Sequence, residues 1–249
     1  MKSAKRILAV LLCAALLISV LCACGKTTDA GADTNTNDDS IAQQLYDADV
    51  AAPDLTNATE ITLSGADDVT ITDGGVYVLT GTLTDGRVLV NAPGADVTLV
   101  LRDTDITCTD SSALYIYKAA NVLVYLQDGT ASTLTDGSSY DDSDSFSSTA
   151  DEEPNACLYS KSDLIIAGGG TLTVTGNANN GITGKDTLKI EGTAVNVTAA
   201  NHGINGKDCL VLKQANVTVT SGGDALRATN DSDSALGCVL IGASALTLT

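Results

Sequence analysis

Lys185 and Lys207 close two copies of one short phrase, Gly181-Ile182-Thr183-Gly184-Lys185-Asp186 and Gly203-Ile204-Asn205-Gly206-Lys207-Asp208, and Lys161 holds the same register one repeat earlier. A third copy, Ala225-Leu226-Arg227-Ala228-Thr229-Asn230, carries Arg227. Cationic groups set out at a fixed spacing suit an anionic polymer, and one of them beside a metal ion would suit proton abstraction. Two readings of the lysines stand open. They form a solvated ladder, each ammonium paired to a nearby carboxylate, or a cationic strip matched to an anionic polymer. Like charges stacked at sheet spacing repel, and positive charge is otherwise scarce, which favours the strip.

Oxygen-bearing side chains accompany them. Asp186 and Asp208 follow two of the lysines directly, and Asp224, Asn230, Asp231 and Asp233 flank one short strand. Hard oxygen ligands of this kind suit calcium, although the same pattern also describes an Asx-rich turn. An insertion over residues 136–154 gathers Asp141, Asp142, Asp144, Asp151, Glu152 and Glu153 among serines and glycines. It reads as a solvated loop or as a calcium-dependent flap. His202, a lone histidine on a turn, reads as a surface residue.

The elements that must position these groups are strands. Ile182, Ile204 and Leu226 recur at intervals of 22 residues, and a period in the twenties means one structural unit stacked on the next. Within each unit apolar and polar residues alternate, the period of strands. Successive coils supply Leu158, Leu164, Ile166, Leu172 and Val174; then Ile182, Leu188, Ile190, Val195 and Val197; then Ile204, Leu210, Leu212, Val217 and Val219. Stacked at roughly 4.8 Å, like residues build aliphatic ladders. Threonines such as Thr171, Thr173, Thr218 and Thr220 suit the outward positions. Gly168 to Gly170 and Asn177 to Gly181 mark turns where positive φ is expected. The expected fold is all-β: a parallel solenoid of about 22 residues per coil over residues 58–249, less regular from Ile61 to Leu126. Ala245-Leu246-Thr247-Leu248-Thr249 falls at the strand position of Leu172-Thr173-Val174, and no capping segment follows, so a longer solenoid is expected.

The start of the chain sets its location. Lys2, Lys5 and Arg6 precede an apolar run of 15 residues from Ile7 to Leu21, the charged and hydrophobic parts of an export signal. That run is short of the roughly 20 residues a membrane span needs. Leu21-Cys22-Ala23-Cys24-Gly25 resembles a bacterial lipobox, which implies cleavage after residue 23 and a lipid on Cys24, anchoring the protein to the outer side of the cell membrane. An ordinary cleaved signal is the alternative. Residues 24–57 read as an acidic, flexible tether, with a turn or two of helix from Ile41 to Asp49. Without residues 1–23 the chain has 10 basic and 31 acidic groups, a net charge of −21, which repels nucleic acid and anionic lipid. Tryptophan is absent and phenylalanine occurs once, against a flat aromatic sugar platform. Of the cysteines in the folded part, Cys157 and Cys209 lie in different registers two coils apart, beyond the reach of about 7 Å that a disulfide needs. They read as small core residues.

The phrases Asp151-Glu152-Glu153-Pro154-Asn155-Ala156, Asn180-Gly181-Ile182, His202-Gly203-Ile204-Asn205-Gly206-Lys207-Asp208 and Gly223-Asp224-Ala225-Leu226 with Asn230-Asp231 resemble the carbohydrate-binding parallel β-helix proteins of clostridia, formerly a domain of unknown function. That family is similar in fold to pectate-lyase-type enzymes. The resemblance implies a right-handed β-helix that binds cellulose or acidic pectin, with calcium held by Asp and Asn on the coils. His202 stands where the family usually has Asp and Ala225 where it has Gly, so Asp224 carries over as a ligand and His202 does not. The expected function is non-catalytic capture of an acidic polysaccharide by Lys161, Lys185, Lys207 and Arg227, assisted by calcium. A calcium-dependent pectin lyase using Lys185 or Lys207 as base is one alternative. A structural surface protein or adhesin is another.

Overall fold

The computed structural model describes residues 40–140 and 154–249. The expected export signal, Cys24 and most of the acidic insertion, including Asp141 to Glu153, lie outside the described residues. After a short helix α1 (Ile41–Asp47), the chain runs through β1 (Thr59–Leu63), β2 (Val69–Ile71), β3 (Gly75–Leu83), β4 (Val88–Asn91) and the long β5 (Asp96–Cys108). Thereafter each coil supplies three strands: β6 (Leu114–Lys118), β7 (Asn121–Leu126) and β8 (Ala131–Asp136); β9 (Ala156–Ser160), β10 (Asp163–Gly168) and β11 (Thr171–Gly176); and β12 (Asn180–Gly184), β13 (Thr187–Glu191) and β14 (Ala194–Ala199). Two more coils give β15 (Ile204–Gly206), β16 (Cys209–Lys213) and β17 (Asn216–Ser221), then β18 (Leu226–Ala228), β19 (Cys238–Gly242) and β20 (Ala245–Leu248).

The first strand of each coil pairs with the first strand of the next, and likewise the second and third, always in parallel. The short strands form a seven-stranded sheet ordered β18-β15-β12-β9-β6-β4-β2, while the others form two wings of a 13-stranded sheet joined through β5. Residues Asp96 to Leu101 of β5 pair with β7 and residues Asp105 to Cys108 pair with β8. The bend between them falls at Asp103, whose φ is 49°. Inside lies one aliphatic core, with the anticipated ladder Leu158, Ile182 and Ile204 fully buried and in register. Each such side chain contributes about 1.5–3 kcal/mol of burial.

The coil length is less uniform than 22. Ile182 pairs with Ile204 and Ile204 with Leu226, but Leu158 pairs with Ile182, Val97 with Val122 and Leu210 with Val239. Turns absorb the extra residues while the inward positions stay aligned. Gly168 does adopt a positive φ, of 116°, but Gly169, Gly170 and residues 177–181 do not. Gly181 is needed for space instead: a Cβ there would lie 2.2 Å from Val197 Cγ1 and 2.8 Å from the Gly203 carbonyl.

The described part of the expected tether departs furthest from a free segment. Ser40 caps α1 by accepting a hydrogen bond from the Gln43 N–H at 3.2 Å. Ala42 is buried against Cys209, Val211 and Leu240, with Leu45 and Tyr46 beside it. Lys189 donates to the Ala48 carbonyl and binds Glu191 at 2.6 Å; Lys213 binds Asp49 at 2.5 Å; the Val50 N–H donates to Glu191 Oε1 at 3.4 Å. Ala52, Pro53 and Leu55 then line a recess with Val100, Arg102, Tyr125 and Gln127. Residues 41–55 thus form a strap over the outer face of the wing formed by β5, β7, β10, β13, β16 and β19. Burial opposes the Lys213 charge, but the hydrogen bond that Lys213 donates to Asp49 and the charges of Glu191 and Asp49 outweigh it and raise the Lys213 pKa.

Candidate functional site

The turn that follows each short strand carries the lysines. The Lys161 N–H donates to the Ile116 carbonyl at 2.9 Å, that of Lys185 to Ser160 at 2.8 Å, and that of Lys207 to Gly184 at 2.9 Å, so the turns stack coil on coil. Lys161 Nζ sits 4.7 Å from the centre of the Tyr117 ring, a cation–π contact. Lys185 is half-buried and Lys207 exposed. Among the described residues no carboxylate lies within the 4.0 Å of an ion pair from Lys185 or Lys207, whereas Lys189 and Lys213, on the strap-covered face, are paired.

One residue on, Asp186, Asp208 and Asn230 make a second ladder. The Asp208 N–H donates to the Asp186 carbonyl at 3.1 Å, and Asn230 Nδ2 donates to Asp208 Oδ1 at 2.7 Å. Burial pushes the Asp186 carboxyl up, the charges of Asp163 and Asp208 push the same way, and Lys207 and Lys185 pull back. The other candidate ligands diverge. Asn230 Oδ1 accepts from the Ser232 and Asp233 N–H groups, both at 3.1 Å, and Asp233 Oδ1 accepts from the Ala235 N–H at 2.9 Å, an Asx-type turn. Asp224 lies apart, beside His202. Among the described residues no three His, Cys, Asp or Glu side chains converge as a metal site would require. Asp186, Asp208 and Asn230 could supply at most part of a calcium shell, the remainder coming from water or ligand oxygens.

By sequence a lone surface histidine, His202 stands in the structure at the centre of a polar cluster. Its N–H donates to Asn180 Oδ1 at 3.1 Å, its Nδ1 accepts from the Asp224 N–H at 2.9 Å, and its Nε2 faces Arg227 Nη1 at 2.7 Å. Burial and the Arg227 charge hold its pKa below the ordinary value, against the Asp224 carboxylate. Asn205 pairs in register with Arg227, and Asn205 Oδ1 and Arg227 Nε are buried with no hydrogen-bond partner among the described residues. One free acceptor and one free donor thus lie on neighbouring strands, Asn205 standing two residues before Lys207 in the chain. The same 22-residue step that separates Lys185 from Lys207 sets Asn180, His202 and Asp224 one above another, a signal present in the sequence. Tyr115 and Tyr159, further along this sheet, are wholly buried and offer no flat platform.

Residues 65–249 match the family of carbohydrate-binding domain-containing proteins. The chain belongs to that family. A carbohydrate-binding domain-containing protein of Acetivibrio thermocellus is 41% identical over 133 residues, covering 53% of this chain and 45% of the relative, so the match spans under half of that relative's length. Among solved structures, the polysaccharide lyase-like protein from C. thermocellum, a gadolinium derivative, is similar with a TM-score of 0.70 at 32% identity, covering 76% of this chain and 81% of the other. The family match takes in every lysine of the ladder and the His202 cluster.

Proposed function

We propose that the protein captures an acidic polysaccharide of the pectin type without cleaving it, while tethered to the outer side of the cell membrane by a lipid on Cys24. The observation that carries this reading is the lysine ladder, in which Lys185 and Lys207 have no carboxylate partner within ion-pair reach among the described residues. Sugar carboxylates would lie along Lys161, Lys185 and Lys207, with the partly exposed Arg227 guanidinium at one end. Calcium would bridge Asp186 and Asp208 to the polymer's own carboxylates and relieve the repulsion within that acidic ladder. The coils would wind right-handed.

A sedimentation assay on insoluble polygalacturonate and on cellulose, with and without a chelator, tests the reading. Binding to polygalacturonate should weaken with chelator and with salt. Replacing Lys161, Lys185 and Lys207 together by Gln should weaken it about tenfold, taking roughly 0.5 kcal/mol for each exposed contact, and flatten the salt dependence. Unchanged binding by the triple variant would remove the cationic strip.

The His202–Arg227 contact favours a second reading. A neutral imidazole beside a guanidinium has the composition of a base next to an anion binder, as in β-elimination from a uronate. A product absorbing in the ultraviolet, lost in His202→Gln, would establish a lyase.

A further inference from the structure

Two thiols meet on the outer face of the wing that carries the strap. Cys209 and Cys238 open β16 and β19 and are direct register partners, so their Cα atoms are about 4.8 Å apart by sheet spacing, inside the range that a disulfide spans. Their sulfurs stand 3.5 Å apart. Both lie beneath α1, with Leu45, Tyr46 and Leu236 in the same apolar cluster. The other two described cysteines have no such neighbour: Cys108 points its Sγ at Asp110 Oδ1, at 3.3 Å, and Cys157 is wholly buried in β9. One rung earlier in this row stands Thr187, bonded to Asp163, so the thiol pair is confined to the last two rungs. The 28-residue stretch between the two cysteines holds Asp224, Arg227, Asn230, Asp231 and Asp233. A bond between the sulfurs would therefore fasten the base of the segment that presents Asp224, Arg227 and Asn230 to the candidate site.

We propose that Cys209 and Cys238 close to a disulfide when the protein meets a disulfide-bearing oxidant, and that this bond braces the strand bearing Arg227. The more exposed thiol, Cys238, attacks one sulfur of the oxidant as thiolate and expels the first thiol. Cys209 then loses its proton, attacks the Cys238 sulfur and expels the second. Two protein thiols are oxidised by two electrons, and the oxidant disulfide is reduced to two thiols that carry the protons. Burial first, then the neighbouring Cys238, push the Cys209 pKa up to about 12, so the second step is slow without a base or a thiol oxidoreductase.

The test uses the full chain, purified reduced and then equilibrated with oxidised glutathione. Peptide mapping should yield one peptide joining Cys209 to Cys238, about 2 Da lighter than its two reduced parts, with Cys108 and Cys157 still open to alkylation after unfolding. The oxidised protein should melt roughly 5–10 °C above the reduced protein, the effect of closing a loop of this length. In Cys238→Ser both the joined peptide and the gap between oxidised and reduced melting should vanish. Full alkylation of both cysteines after equilibration, a bond to any other cysteine, or coincident melting of joined and reduced wild type would each overturn the proposal.

Discussion

Burial and the adjacent Arg227 both disfavour protonation of the His202 ring and hold its pKa below the ordinary value. A histidine held below its unfolded value of 6.5 takes up a proton later in the fold than in the unfolded chain. The fold therefore loses nothing well above that pH. A penalty grows as the pH falls through 6.5 and is complete once the folded ring has titrated. An NMR titration should place the ring midpoint below 6.5, and His202→Gln should lessen the stability lost between about pH 7 and pH 5. The position of this residue was legible, since it lies one 22-residue step from both Asn180 and Asp224. Its state was not, because that depends on an arginine reaching back from the next strand to within 2.7 Å. Cys238 escaped for another reason. The coil between it and Cys209 has grown to 29 residues, so a fixed period points past it.

Among elements, the strands that recur were the easiest to read. The rows Leu164-Leu188-Leu210 and Leu172-Val195-Val217 lie in register as the alternation required. The early strands were harder, because β3 and β5 each run through both wings and carry two alternations separated by a bend, with a register shift between Leu79 and Gly81. The turn glycines were read for their backbone freedom, yet Gly181 serves by lacking a side chain. Gly181→Ala should cost roughly 1–3 kcal/mol, since its Cβ would press on Val197 and on the carbonyl of Gly203. Chemical unfolding measures this as a lowered midpoint at unchanged slope. Gly192→Ala serves as a control: space is open there, and the only burden is its φ of 66°.

For the whole molecule, the strap divides the surface into two kinds. The lysine ladder lies along the turns after the short strands, while the covered wing presents Val211, Leu240, Lys189 and Glu191 to residues 41–50. From the sequence those residues belong to a tether, because a short stretch with one weak helical turn shows no partner until the distant strands are in place. Replacing residues 41–50 by a Gly-Ser linker of equal length should cost about 2–4 kcal/mol in lost burial and hydrogen bonds, lowering Tm by roughly 5–12 °C. Calorimetry measures the shift, and binding to polygalacturonate should persist if the lysine ladder carries it. The strap also orders events in time. Its bonds join Asp49 to Lys213 and Val50 to Glu191, partners 164 and 141 residues apart in the chain. A nascent chain releases its N-terminal end first, yet this segment has no seat until β13 and β16 have been made and stacked. The earliest residues to emerge are thus among the last to settle. Their docking registers that the coils beneath have assembled, and a chain halted before Cys209 would keep Ala42, Leu45 and Tyr46 in water as a mark of incomplete synthesis.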